Sequence, residues 1–327
     1  MSGNGNKTED KIPMQKRPFI IDCDTGTDDA IAIIAALYSE EVTVRAITSV
    51  NGNVEHKYVC HNNLNLMEYL DQKVPVAKGA NMPFRDNGLH SHDGTHGKTG
   101  LGDLTLPEAQ HTDFDPRIAS RVIYETALEE KGELELLVIG PMTNIAIALL
   151  EYPELPSLIK HIWFMGGAAV GGNVNTTAEF NIWVDPEAAH VVMESGIPMT
   201  MVGLDVTEKA AMIEEDAAEL RACGTRAANF VADLLDYMFR RRDKGQEDAL
   251  MHDALALGAA LCPDCLECKD CFVDVECFGQ YTRGHTAVDL KGRSGKKPNV
   301  SVALGIDVPM FRRWLVDAVK KSAEYAG

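Results

Sequence analysis

Arg17-Pro18-Phe19-Ile20-Ile21-Asp22-Cys23-Asp24-Thr25-Gly26-Thr27-Asp28-Asp29-Ala30-Ile31 carries a strand, a turn and a helix start in direct succession. The apolar run ends abruptly in acidic and glycine residues, as a buried strand does where it feeds a loop. Beyond it, Ile31, Ile34, Ala35 and Tyr38 recur at helical spacing. The spacing predicts a helix over 28–38 with Thr27 as N-cap and Asp28 and Asp29 in its first turn. The same alternation continues outward. Strands are expected over 42–50, 74–77, 134–139, 161–165 and 199–204, and later over 272–277, 286–290 and 300–303. Helices are expected over 54–70, 118–130, 185–195, 214–242, 253–261 and 308–323, with another opening near Pro141. Residues 78–107 have no period and are rich in Gly, His and Asp, which marks a long loop.

Strands alternating with helices predict an α/β fold: a single-domain, doubly wound, mostly parallel sheet, Rossmann-like, with helices on both faces. No linker or repeat interrupts residues 17–327, which read as one catalytic domain. Residues 1–16 are polar, lack an apolar signal core and read as a disordered leader. A cytoplasmic location is the default expectation. The chain has 327 residues, 45% of them hydrophobic, and a formal net charge of −18. Such an acidic surface repels nucleic acid and anionic membranes, so neither is expected as a partner. The basic clusters, Arg240-Arg241-Arg242 with Lys244 and Lys291 to Lys297, read as solvated helix ends or loops.

In a doubly wound sheet the carboxyl ends of the strands converge on one edge, where ligands bind. Here those ends carry Asp22, Asp24, Asp28 and Asp29; Asn51 and Asn53; Gly140 to Asn144; and Gly166-Gly167 followed by Asn173, Glu179, Asn181 and Asp185. Carboxylates and amides in this density suit a hard cation and a polyhydroxyl ligand. Two carboxylates about 4 Å apart repel by about 4 kcal/mol at an effective dielectric near 20, a cost that a cation removes. His252-Asp253 precedes an apolar helix, where Asp253 also reads as an N-cap. His90, His92 and His96, with Asp93, read as a polar loop, with a zinc site as the alternative. Cys262, Cys265, Cys268 and Cys271 stand at every third position and read as structural or surface thiols, with a metal site or a disulfide as alternatives.

Taken in order, these residues resemble the nucleoside hydrolase family of the inosine–uridine type. The matching stretches are 22–29, 50–53, His96-Gly97 with 100–102, 140–146, 165–167, Gly172-Asn173, 179–181, Asp185-Pro186, His252-Asp253 and 282–284. The resemblance implies hydrolysis of the N-glycosidic bond of ribonucleosides in a homodimer or homotetramer. It implies a calcium ion (Ca2+) on Asp24, Asp29, the Thr143 carbonyl and Asp253. A calcium-bound water, deprotonated by Asp24, then attacks the anomeric carbon through an oxocarbenium-like transition state. Asp28, Asn53, Asn173, Glu179, Asn181 and Asp253 are implied contacts of the ribose, and Met165 packs on the sugar. His252 is the implied proton donor to the leaving base, and His96 the loop histidine near it. Thr25 replaces a proline common in the first motif. Tyr237 stands where such chains carry tyrosines, but a second tyrosine is missing. A haloacid dehalogenase-type phosphohydrolase shares the Asp-x-Asp start, yet Gly26 stands where that motif wants Thr or Val. An inactive nucleoside-binding module is the non-enzymatic alternative.

Overall fold

The computed structural model describes residues 16–85 and 94–325. Almost all of the expected leader, and His90, His92 and Asp93 of the zinc alternative, lie outside these residues.

Among the described residues eight strands form one sheet in the order β3-β2-β1-β4-β5-β6-β10-β7. The strands are β1 (Arg17–Cys23), β2 (Val42–Ser49), β3 (Val76–Lys78), β4 (Leu134–Val138), β5 (Ile159–Met165), β6 (Met199–Val202), β7 (Leu266–Cys271) and β10 (Val300–Ile306). All neighbours run parallel except β7, which pairs antiparallel with β10. A small antiparallel pair, β8 (Val273–Val275) with β9 (Thr286–Val288), stands apart. The doubly wound, mostly parallel α/β fold is therefore observed.

Parallel strands covered on both faces read as near-continuous apolar runs, and β1 is buried from Pro18 to Cys23. Phe19, Ile21 and Cys23 join one core layer, and Ile20 joins the other. The first layer is built on α1 (Thr27–Leu37), α9 (Arg226–Arg242), α10 (His252–Leu261) and α11 (Val308–Lys320). The second uses α3 (Ala119–Glu130), α4 (Thr143–Glu151) and α6 (Pro186–Met193). Helix α10 packs on α1 and α11 and on strands β5 and β6. Its Gly258 lets Phe311 close in, since a Cβ there would meet the ring at 3.3 Å. On β4, Glu135 is buried but accepts hydrogen bonds from Arg17 Nε at 2.9 Å and Trp163 Nε1 at 2.7 Å.

Several expectations shift. The N-cap of α1 is Gly26, not Thr27, because the Thr27 hydroxyl turns to His96 at 3.1 Å. The segment 214–242 is two helices, α8 (Glu214–Cys223) and α9, separated where Gly224 adopts a left-handed φ of 74°. Met251, not Asp253, caps α10. Strand β7 and the short helices α5 (Phe180–Val184) and α7 (Leu204–Thr207) were not expected. The cysteine run ends in β7. Its members are free thiols, Cys268 exposed and Cys265 and Cys271 buried, and they form no metal-ligand cluster among the described residues. No described helix is long and apolar enough to cross a membrane.

Candidate active site

The chain runs from β1 to β2 and β3 on one side of the sheet, then returns to place β4 on the other side of β1. This reversal opens a crevice beyond the carboxyl ends of β1 and β4. A cavity of about 380 Å³ lies there.

Its floor is acidic. Asp28 and Asp29 enter from the first turn of α1 and Asp253 from that of α10, and one oxygen of each lies within 4.8 Å of the others. All three are buried, as is Asp24 behind them. The Asp24 Oδ2 accepts the Asn53 N–H at 2.7 Å, and Asp29 Oδ2 accepts Gly26 N–H at 2.7 Å and Asn53 Nδ2 at 3.2 Å. The second oxygens, Asp24 Oδ1 and Asp29 Oδ1, are buried without a hydrogen-bond partner. Desolvation, followed by the neighbouring carboxylates, pushes Asp24 and Asp253 well above the usual carboxylate range. Asp29 is pushed up to about 7 by desolvation and then by Asp28. Buried oxygens that are hard, anionic and unpaired fit a divalent cation of the calcium or magnesium type.

Asp22 takes no part in this floor. Its Oδ2 accepts Thr48 Oγ1 at 2.5 Å and Asn144 Nδ2 at 2.8 Å, which ties the ends of β1 and β2 to α4. Thr143 opens α4 and donates its hydroxyl to Asp185 Oδ2 at 2.8 Å. That carboxylate also accepts the Phe84 N–H and caps α6, so Asp185 supports the site from outside.

The wall beside this floor is polar and pre-ordered. Glu179 caps α5 and accepts backbone N–H groups from Gly167 at 2.8 Å, Asn181 at 2.9 Å and Ile182 at 3.2 Å. Desolvation outweighs those bonds and leaves its carboxyl raised. Asn181 Nδ2 reaches the carbonyls of Ile139 and Met165, both at 3.1 Å, locking the ends of β4 and β5 together. Asn173 Oδ1 accepts the Phe180 N–H at 3.0 Å. Asn53, Asn173 and Met165 all face the cavity.

Two histidines complete the wall. His96 Nδ1 accepts the Thr27 N–H at 3.1 Å, which places its proton on Nε2. Gly26 is required by this contact, since a Cβ there would lie 2.4 Å from His96 Nδ1. His252 lies between Thr207 Oγ1, 2.8 Å from Nδ1, and Glu247 Oε1, 3.7 Å from Nε2. Burial alone would lower its pKa, but Glu247 first, and then Asp28 and Glu179, raise it above the ordinary histidine value.

The cavity thus gathers Asp28, Asn53, His96, Met165, Asn173 and Glu179, joined by Asn181, His252 and Asp253; Asp24, Asp29 and Thr143 lie buried around them. From α9 it is Met238 and Arg241 that face the cavity, not Tyr237, whose hydroxyl reaches the Thr95 carbonyl at 3.3 Å. Sequence reading missed Arg241, Thr207 and Glu247. The last sits in an aperiodic turn after α9 that gives no signal.

The sequence matches the family described as inosine-uridine preferring nucleoside hydrolase over residues 19–313. The pyrimidine-specific ribonucleoside hydrolase RihA of Escherichia coli O81 (strain ED1a) is 40% identical over 309 residues, covering 93% of this chain and 98% of that protein. Among solved structures, the purine-preferring ribonucleoside hydrolase from Gardnerella vaginalis superposes with a TM-score of 0.87 at 32% identity, covering 95% of this chain and 100% of its own. An inosine-guanosine nucleoside hydrolase gives 0.84 at 30% identity, with the same coverage. These similarities set aside the phosphohydrolase alternative, and the chain belongs to the inosine-uridine preferring nucleoside hydrolase family of N-glycosidic bond hydrolases.

Proposed function

We propose that this chain hydrolyses ribonucleosides to ribose and free base with a calcium ion at the acidic floor. The observation that carries this reading is the set of buried carboxylates with unpaired oxygens, Asp24 Oδ1 and Asp29 Oδ1, beside a wall of fixed amide and carboxylate groups. Asp24, Asp29, Asp253 and the Thr143 carbonyl are the proposed ligands. Asp28, which shares the floor, serves the cation and the ribose hydroxyls together. When bound, a divalent cation supplies Lewis acidity and cancels the mutual repulsion of the carboxylates.

The residues divide the remaining work. Asp24, oriented by the Asn53 N–H on Oδ2, is the base that accepts the proton of the attacking water. Asn53, Asn173, Glu179 and Asn181 orient the ribose hydroxyls. Positive charge develops on the sugar as the glycosidic bond breaks, and the anionic floor is in place to stabilise it. His252 gives a proton to the departing base, with Thr207 and Glu247 fixing its ring. Water thereby adds its hydroxyl to the anomeric carbon, and the base leaves with a proton.

The test is reducing-sugar release from inosine, adenosine, guanosine, uridine and cytidine, before and after calcium removal. Release that stops on chelation and returns with calcium is expected. Release untouched by thorough metal stripping defeats the cation assignment. No release from any nucleoside, with ligand binding intact in wild type and Asp24→Ala, leaves a binding module.

A further inference from the structure

The run Arg240-Arg241-Arg242 closes α9. Two of its members behave as a solvated helix end should. Arg240 Nη2 donates to both oxygens of Asp103, at 2.9 and 2.7 Å, and Arg242 pairs with Glu214 at 2.6 Å and Asp243 at 2.9 Å. Arg241 differs. It is half-buried and, one helical turn after Met238, faces the active-site cavity. Among the described residues no other Lys or Arg lines that cavity. The hydrogen bonding of the Arg241 side chain, among the described residues, is limited to Nε, which donates to Gln246 Oε1 at 3.0 Å. That bond fixes the plane of the guanidinium while both Nη groups keep their donors. Glu247, on the same wall, is already engaged with His252.

We propose that Arg241 selects the base, donating from its Nη groups to a carbonyl oxygen on the base edge remote from the glycosidic bond. This rests on the hydrolase reading, because it needs the ribose on the acidic floor so that the base extends toward α9. A guanidinium has donors and no acceptor. Uracil, hypoxanthine and guanine present a carbonyl at that edge. Cytosine and adenine present an amino group, which meets the guanidinium donor to donor. The uracil O2 carbonyl adjoins the glycosidic nitrogen and so belongs to the sugar side. Arg241 therefore favours uridine over cytidine and inosine over adenosine.

The test compares kcat/KM for these four nucleosides in wild type, Arg241→Met and Arg241→Lys. Arg241→Met keeps the apolar stem beside Met238 and removes the donors. A polar contact of this kind discriminates by about tenfold or more, so Arg241→Met should lower the uridine-to-cytidine and inosine-to-adenosine ratios by at least about tenfold. Arg241→Lys, which keeps the charge and loses the fork, should fall between. Calorimetric titration with carbocyclic uridine and carbocyclic cytidine separates this idea from the hydrolase reading. These analogues lack the ring oxygen and cannot form an oxocarbenium ion. Wild type should bind the uridine analogue more tightly, and Arg241→Met should lose that preference. If wild type cleaves no nucleoside, the hydrolase reading falls while the calorimetric preference still decides on Arg241. Wild type without a preference, or ratios unchanged in a variant that melts like wild type, overturns the proposal. Equal losses for all four substrates overturn it as well.

Discussion

Replacing Asp29 by Asn should stabilise the metal-free protein and destabilise the calcium-loaded one. Asp29, Asp28 and Asp253 offer oxygens within 4.8 Å of one another. At an effective dielectric near 20, each ionised pair at that distance repels by roughly 3.5 kcal/mol, so the two pairs involving Asp29 sum to roughly 7 kcal/mol. Proton uptake and relaxation relieve most of it, and we take about 2 kcal/mol as what the substitution recovers. Asn keeps an oxygen for the Gly26 and Asn53 donors and turns an NH₂ group to the side where Asp29 Oδ1 has no partner, toward the other carboxylates. For a chain of this size the gain is about 3 °C in melting temperature in EDTA. If calcium binds there as proposed, a thousandfold excess over its dissociation constant should stabilise wild type by about 4 kcal/mol, and the variant, short of an anionic ligand, should keep little of that. Thermal melts of both proteins in EDTA and in calcium give the four values needed. A variant less stable than wild type in EDTA, or one retaining the full calcium-dependent rise, refutes the reasoning.

Gly52→Ala should act through Asp24, because the new Cβ would lie 1.9 Å from Asp24 Oδ2. The carboxylate must swing aside, so kcat should fall by about a hundredfold while circular dichroism stays native; wild-type kcat would show that Asp24 is not held there. Glu135→Gln should cost about 2 kcal/mol at pH 7, the worth of a buried charge-assisted pair. Burial alone would raise Glu135, but the bonds from Arg17 and Trp163 win and hold it below the ordinary range. Its contribution is therefore present above about pH 4.5 and lost as pH falls through the folded value. Urea unfolding at pH 7 and pH 4 should show the gap closing at the lower pH. His252→Ala should lower kcat for inosine more than for uridine, and equal losses would count against a proton-donating role.

The fold was legible because the β1 run and the helical spacing after it obey simple periodicities. The strand ends also announced much of the candidate site, since Asp24, Asn53 and Gly140 to Asn144 stand where the topology converges, whereas His252-Asp253 was legible only as a polar pair opening an apolar helix. Strand β7 was hidden because its residues, Leu266-Glu267-Cys268-Lys269-Asp270-Cys271, are mostly exposed and carry no apolar alternation. The α1 cap was displaced because a tertiary contact, Thr27 with His96, outweighed local preference. Arg241 was illegible for a different reason. Three consecutive arginines look alike in sequence, and only the partners on neighbouring elements, Asp103 and Glu214, distinguish the outer two from the middle one.

Helix α10 is buried from Asp253 to Leu261. Its first turn cannot shift without unpacking α1 and α11, so the acidic floor is as rigid as the protein itself. The end of α9 and the turn after it are largely exposed from Arg240 to Asp248. Substitutions at the α9 end of the cavity should therefore cost little in folding, whereas those in the floor disturb the packed core. Such a division lets the α9 side of the cavity vary while the acidic floor stays fixed.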